Sequence, residues 1–589
     1  MAPKTEIPTP VPAGGTVQWV GLEELAAAPA FQEMLHREFP EDATSWADPV
    51  TRRTFLTLAG ASAALAGIGC SPRPASRERI LPYVRQPEDM TLGLPLYFAT
   101  GFTLGGVCTG VLAKSREGRP VKLEGNPSHP TSNGAIDAIT QASLLCLYDP
   151  DRSRQILKRS NPSGWESLVA ELRPTLERLR TEGKAIRLLT DTIGSPALGG
   201  LILEFLATYP TAKWVQYEPA NRDNAREGAR LVYGEAVNTV YDFSKAYRVL
   251  SLDCDFLTCL PGSMRYSRDF NKLRNTHLKE KAPEKKEEPK KEGHSHGDAE
   301  GRVPTAEEMN RLYVVESMLT ATGAVADHRL PLRSADVEAF ARAVARELGV
   351  AGVGDSPAPE AARAWIAPLV ADLKAHAGRS VVVAGDHQPP AVHALAHAMN
   401  GALGNIGQTV RNFSTAEVRP DNQAAQFREL VGEMADGKVS ALLVIGANPV
   451  YTAPADVNFK GAMAKVPLKV HMGLHLDETG RECDWHLNEA HYLETWGDGR
   501  GHDGTASICQ PLIAPLFNGR SPLELIASLL PDRGGELNPR GIVKAFWQKN
   551  WPANGGSTPN FETTWQKALQ EGVIPNSARP PFGGQPNAG

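Results

Sequence analysis

The feature that most restricts the fold is a series of short, almost unbroken apolar runs, each closing on Gly, Asp or Asn and separated by segments of helix length. They stand at 185–190, 213–217 and 247–252, and again at 380–384, 440–445 and 468–474, with a helical stretch at 389–403 in the second set. Strands that are apolar throughout, rather than at alternate positions, belong to parallel sheets covered on both faces by helices. Ligands in such sheets collect at the carboxyl ends of the strands, here Gly385-Asp386, Gly446-Ala447-Asn448-Pro449 and Gly473. Residues 80–150 have a different texture. Short β-like runs at 91–100, 106–114 and 120–124 are punctuated by Gly and Pro, which predicts a small antiparallel unit. The fold class is therefore α/β, with a small β-rich first domain and two parallel-sheet domains.

A chain of 589 residues exceeds a single core, so two to four domains are expected. The divisions read from pattern are 1–50, 51–79, 80–150, 151–375, 376–520, a helical 521–575 and a Pro/Gly-rich disordered tail at 576–589. A charged stretch at 277–304, almost without apolar residues, cannot bury surface and reads as a disordered insertion. His294 and His296 within it read as solvated. The net charge of −5, with Lys and Arg scattered, offers no basic face and excludes nucleic acid as an expected partner.

Arg52-Arg53 precedes Thr54-Phe55-Leu56 and an Ala/Gly/Leu-rich stretch that ends at Gly69. The stretch is shorter than the roughly 20 residues of a membrane span and suits a signal core, so the pair resembles a twin-arginine export signal. Periplasmic localisation follows as an expectation. Cys70 after this stretch raises lipidation as an option, although Gly67 stands where such signals usually have Leu.

The seven cysteines, at 70, 108, 146, 254, 259, 483 and 509, include no C-x2-C pair. They read mainly as buried small apolar residues, with room for one disulfide but no disulfide framework. Cys254 and Cys259 complete no cluster pattern. His393 and His397 share a helix face at i, i+4, and without a third ligand they read as a partly exposed face rather than a metal pair. Asp477, Glu478 and Asp484 read as turn and cleft positions, not as an acid/base set.

Four landmarks then occur in order. They are Lys122-Leu123-Glu124-Gly125-Asn126-Pro127 with His129-Pro130, the Asn400 to Gly407 turn, Gly446-Ala447-Asn448-Pro449, and Asp477-Glu478-Thr479-Gly480 running through Asp484, Leu487 and Glu494 to Gly497. Together they resemble the molybdopterin oxidoreductase superfamily, with Asn488 where that family has Pro. The resemblance implies that Gly446, Asn448, Pro449, Glu478 and Thr479 line a relic pterin site. Active members carry four cluster cysteines near the first landmark. Here only Cys108 precedes it, and Gly134-Ala135-Ile136-Asp137-Ala138 lacks the fourth.

The long segment before Arg52-Arg53, Ile80-Leu81-Pro82-Tyr83-Val84, Tyr148-Asp149-Pro150-Asp151-Arg152-Ser153 and His491-Tyr492-Leu493-Glu494-Thr495-Trp496-Gly497-Asp498 look like the large subunit of alternative complex III. That resemblance implies a scaffold without a catalytic centre, with no cofactor in this chain and no molybdopterin. It also implies an iron-sulfur subunit or domain, a multihaem cytochrome and integral membrane quinol-binding subunits as partners. The competing expectation is an active periplasmic molybdopterin-dependent oxidoreductase.

Overall fold

The computed structural model describes residue 91 and residues 93–274, 308–354, 356–531, 538–552 and 560–586, all within one compact unit, Met90–Gly589. The expected export signal at Arg52-Arg53, the segments before it and the charged insertion at 277–304 lie outside the described residues. No helix among the described residues is long and apolar enough to cross a membrane.

Strands Leu96–Leu104, Val107–Arg116 and Arg119–Gly125 form the expected antiparallel unit. Their tight turns use Gly105-Gly106 and Glu117-Gly118, all at positive φ, the backbone twist that a two-residue hairpin loop demands. A helix, Ala138–Leu147, follows, and Asp137 caps it by accepting from the Thr140 amide at 2.8 Å.

Both parallel sheets exist, but the chain does not build them in sequence blocks. A seven-stranded sheet runs in the order Asn161–Ser163, Ile156–Lys158, Trp485–Asn488, Leu468–Gly473, Val439–Ile445, Ala185–Thr190 and Ala212–Gln216. A four-stranded parallel sheet is ordered His328–Pro331, Arg311–Glu316, Arg248–Leu252 and Ser380–Ala384. The chain thus leaves the first sheet after Gln216, builds the second, and returns at Val439. Strands from the two sides of residue 375 share sheets: 185–190 and 439–445 pair side by side, and 248–252 pairs with 380–384. Parallel neighbours need long crossovers, and nothing limits such a crossover to a single helix.

The apolar runs are explained by burial on both faces. In the seven-stranded sheet Leu188 and Leu443 enter one core, with the helices Trp165–Thr181 and Pro196–Thr208, while Leu189, Leu442 and Val444 enter another. In the four-stranded sheet Leu250 and Val382 face one core, and Val249 and Val381 the other. With about 25 cal/mol per Å² of apolar surface removed from water, such two-faced strands are the main stabilising elements of the unit.

The C-terminal stretch departs from its composition. Residues 576–586, expected to be disordered, lie along the body: the Phe582 amide donates to the Asn412 carbonyl at 2.7 Å, and the Phe582 ring meets Tyr233 edge-on. Proline and glycine predict poor helix and strand, not absence of contact. Here Pro581 bridges to Phe413 at a sheet edge.

Candidate functional site

At the strand ends of the seven-stranded sheet the structure brings the two relic loops together. Val439–Ile445 ends at Gly446, whose φ of +75° lets the chain turn sharply and whose amide donates to the Met472 carbonyl at 3.0 Å. The following loop carries Asn448 and Pro449, and Leu468–Gly473 leads to Asp477, Glu478 and Thr479. Asp477 caps the short turn by accepting from the Gly480 amide at 2.7 Å, which supports its reading as a turn residue. Asn448 Nδ2 donates to Glu478 Oε2 at 2.8 Å, and its Oδ1 accepts from Thr479 Oγ1 at 2.8 Å and from the Thr479 amide at 3.2 Å. Thr479 Oγ1 in turn accepts from the Val450 amide at 3.0 Å. Gly446, Asn448, Pro449, Glu478 and Thr479 thus adjoin one another, with the Asn448 amide committed to the opposite loop.

Between these loops and the neighbouring strand end stand carboxylates that sequence reading did not single out. Asp191 follows strand 185–190, and its Oδ2 lies 3.3 Å from where a Cβ on Gly446 would stand. Crowding by the protein, with Glu218 nearby, raises the Asp191 carboxyl to about 7 although its side chain keeps access to solvent. Desolvation, with Asp191 as a second cause, raises Glu489 to about 8. Burial raises Glu218 as well. Several guanidiniums near these loops have partners, while Arg481, one turn from Glu478, is exposed. Arg152 forms a two-pronged pair with Glu494, 2.7 and 3.2 Å, both side chains buried; Arg226 pairs with Glu417 at 2.7 Å, and Arg222 with Asp386 at 3.2 Å.

Tyr148 to Ser153 and His491 to Asp498, distant in sequence, meet through this Arg152–Glu494 pair; Glu494 also accepts from the His491 and Leu516 amides. Asn488, where the resembling family has Pro, donates to the Phe517 carbonyl at 2.8 Å, so the departure supplies a tie that proline could not make. The first landmark is also structural. Asn126 Nδ2 donates to the Glu571 carbonyl at 2.8 Å, and buried His129 packs where Gly110 and Gly501 have no side chains.

The strand ends of the four-stranded sheet form a second region. Asp253, at φ +52°, accepts from Gln388 Nε2 at 2.8 Å and meets His387 Nε2 at 2.9 Å. Its carbonyl lies 2.0 Å from where a Cβ on Gly385 would stand, so only glycine fits there. Next to this loop a small cavity is lined by Arg222, Tyr241, Tyr266, His393, His397 and His502. His393 and His397 do not form a partly exposed face: both are buried, because the helix Pro390–Ala402 packs against helix Asp223–Tyr233 on that side. Loss of water lowers His393 to about 4 and His397 and His502 to about 3, so all three are neutral near pH 7. Cys254 is buried and Cys259 exposed, and neither is in a disulfide. No group of three or more His, Cys, Asp or Glu side chains among the described residues is arranged to hold a metal ion.

Strand order, sheet pairing and loop placement define an α/β body of the molybdopterin oxidoreductase type. Acetylene hydratase from Pelobacter acetylenicus shares it, with a TM-score of 0.52 at 12 % identity over 73 % of this chain and 68 % of that one. The chain has the molybdopterin oxidoreductase fold. In sequence it is similar to the "menaquinone reductase, molybdopterin-binding-like subunit" of Nitratidesulfovibrio vulgaris, 29 % identical over 477 residues, which cover 73 % of this chain and 63 % of that relative. Its landmarks and its sequence thus resemble this molybdopterin-binding-like subunit over part of that relative's length. No family model matches it.

A pterin dinucleotide's diphosphate would need free donors and positive charge at the strand ends. Asp191, Glu218 and Glu489 offer carboxylates there and Asn448 is held by Glu478 and Thr479, whereas Arg481, beside Glu478, is exposed.

Proposed function

We propose that this chain is a non-catalytic scaffold subunit of a quinone-linked respiratory complex of the alternative complex III type, binding no molybdopterin, iron-sulfur cluster or haem of its own. It holds an iron-sulfur subunit or domain and a multihaem cytochrome against quinol-oxidising membrane subunits. It works on the periplasmic side of the cytoplasmic membrane after export by the Arg52-Arg53 signal. The relative's name, a menaquinone reductase subunit, supports the quinone link.

The observation that carries the docking role is the distribution of exposed apolar side chains. Of sixteen large ones among the described residues, nine stand between residues 94 and 148, on the antiparallel unit and the helix after it. They include Leu94, Leu104, Ile139 and Leu145, the last 72 % exposed. Apolar surface gathered on one small region supports a contact there. We assign this region to the iron-sulfur partner.

The test is metal and pterin analysis of the complex purified from its membrane and of the chain alone, repeated with Ile139→Glu and Leu145→Glu. The reading expects iron only in the complex, no molybdenum, tungsten or pterin in either sample, and loss of the iron-sulfur partner from the two variants. Stoichiometric molybdenum and pterin in the isolated chain would make this an enzyme. Partner retention by both variants would remove the docking assignment. Assay of the intact complex for quinol oxidation against quinone reduction decides the direction of electron flow.

A further inference from the structure

Cys108 and Cys509 are about 400 residues apart, yet their sulfurs share one pocket. Cys108 lies on strand Val107–Arg116 of the antiparallel unit and Cys509 at the end of strand Ala506–Cys509, which pairs with Gly497–Arg500. The pocket exists because glycines wall it. A Cβ on Gly101 would stand 2.5 Å from the Cys108 sulfur and 2.9 Å from the Cys509 sulfur, and one on Gly499 would stand 3.1 Å from the Cys108 sulfur. Two sulfurs that close to a single point are within reach of each other. The backbones are held in the same register: Thr100 Oγ1 donates to the Gln510 carbonyl at 3.0 Å, and Gln510 Nε2 donates to the Ala99 carbonyl at 2.7 Å. Both cysteines are buried and each is a free thiol in this structure. The other free cysteines include Cys146 and Cys259, which are exposed.

We propose that Cys108 and Cys509 form a disulfide that staples the antiparallel unit to the C-terminal part of the body. The oxidant is a disulfide of the surrounding compartment, either a protein thiol oxidase or a small-molecule disulfide. One cysteine, as thiolate, attacks a sulfur of that oxidant and releases one thiol, leaving a mixed disulfide. The second cysteine then attacks the mixed disulfide and releases the other thiol. Two electrons and two protons leave the pair, and the oxidant becomes two thiols. Contact with Cys108, together with burial, pushes the Cys509 thiol well above its ordinary range. The pair therefore reacts slowly while packed, and faster when strands 497–509 part from the hairpin.

A bridge closing a loop of roughly 400 residues restricts the unfolded chain strongly and is expected to raise the melting temperature by about 3–10 °C.

The purified full-length chain is incubated with oxidised glutathione or with dithiothreitol, unfolded, alkylated and digested. Mass spectrometry is expected to find the Cys108 and Cys509 peptides joined only in the oxidised sample, with two fewer alkylated thiols than after reduction. The oxidised chain should melt higher, and a Cys108→Ser/Cys509→Ser variant should show no difference between the two treatments. The mapping needs only the natural chain, so a poorly folding variant does not weaken it. Full alkylation of both cysteines after oxidation, glutathione attached to Cys509 without a bridge, or a bridge from either cysteine to any other, overturns the proposal.

Discussion

The strand ends of the two parallel sheets are built alike and charged differently. Each turns on a glycine, Gly446 or Gly385, that a side chain would block or strain. Around Gly446 stand carboxylates held above their ordinary range, Asp191 and Glu489, together with the buried imidazoles His471 and His486, held down at about 4 and about 3. Around Gly385 the imidazoles His393, His397 and His502 are held below theirs, beside Asp253, whose carboxyl is lowered, against burial, by hydrogen bonds from His387 and Ser317. Crowding by the protein favours the neutral form of the shifted carboxylates and imidazoles, so the region around Gly446 responds to base as well as to acid and the region around Gly385 to acid.

The largest expected effect comes from Arg152, the buried cation that opposes Glu489 and pairs with Glu494. Arg152→Met leaves the buried Glu494 carboxylate without its cation, and denaturant unfolding should show a loss of about 3–5 kcal/mol. Arg152→Met/Glu494→Met should recover most of it. Equal losses in the single and double variants would show that packing, not charge, sets the value.

The imidazole region is tested by acid. The unfolded chain takes up protons near the ordinary imidazole value of 6.5 and the folded chain only near 4 or 3 at His393 and His397, so their stabilising contribution is whole above 6.5 and is lost as pH falls toward 3. At pH 4.5 each histidine is expected to cost on the order of 2 kcal/mol relative to pH 7. Urea titrations of His397→Gln should show a shallower loss between pH 7 and 4.5. An unchanged slope would mean that this imidazole reaches water.

The carboxylate region is tested by base. Folded Asp191 and Glu489 ionise near 7 and 8, whereas the unfolded chain ionises near the ordinary values, so stability is whole below about 4 and falls as pH rises through 7 to 8. Asp191→Asn and Glu489→Gln should melt about 1–3 °C higher than the natural chain at pH 8.5 and the same at pH 4. Melting curves that shift equally at both pH values would refer the effect to packing.

The smallest effect is expected from Asn448→Ala, which removes the ties between the two landmark loops. About 1 kcal/mol should be lost, and partner binding should be unchanged, because these ties run from one loop to the other. Loss of partner binding would join these loops to the docking region.

Most of the strands and the helix at 389–403 were legible because two-faced burial writes an unbroken apolar run that ends in a turn residue. Val439–Ile445 and Leu468–Gly473 fall within a residue of their expected bounds. The grouping of Gly446, Asn448 and Glu478 was legible only through family landmarks. Asp191, Glu218 and Glu489 were not, since a carboxylate after a strand looks the same in sequence whether it faces water or another carboxylate. His393 and His397 were misjudged for a related reason: a helix face with alanines and histidines is apolar enough to be buried and polar enough to be exposed.

By itself, then, the sequence determined the kinds of element, their lengths, the small antiparallel unit and the two-faced parallel strands. Each follows from local chemistry: side-chain periodicity and turn residues. Tertiary structure decided which strands share a sheet, that Arg152 meets Glu494, that Cys108 meets Cys509, and which titratable groups lose their water. These depend on contacts hundreds of residues apart, where the packing of sheets and helices, and no local preference, sets the distance between side chains.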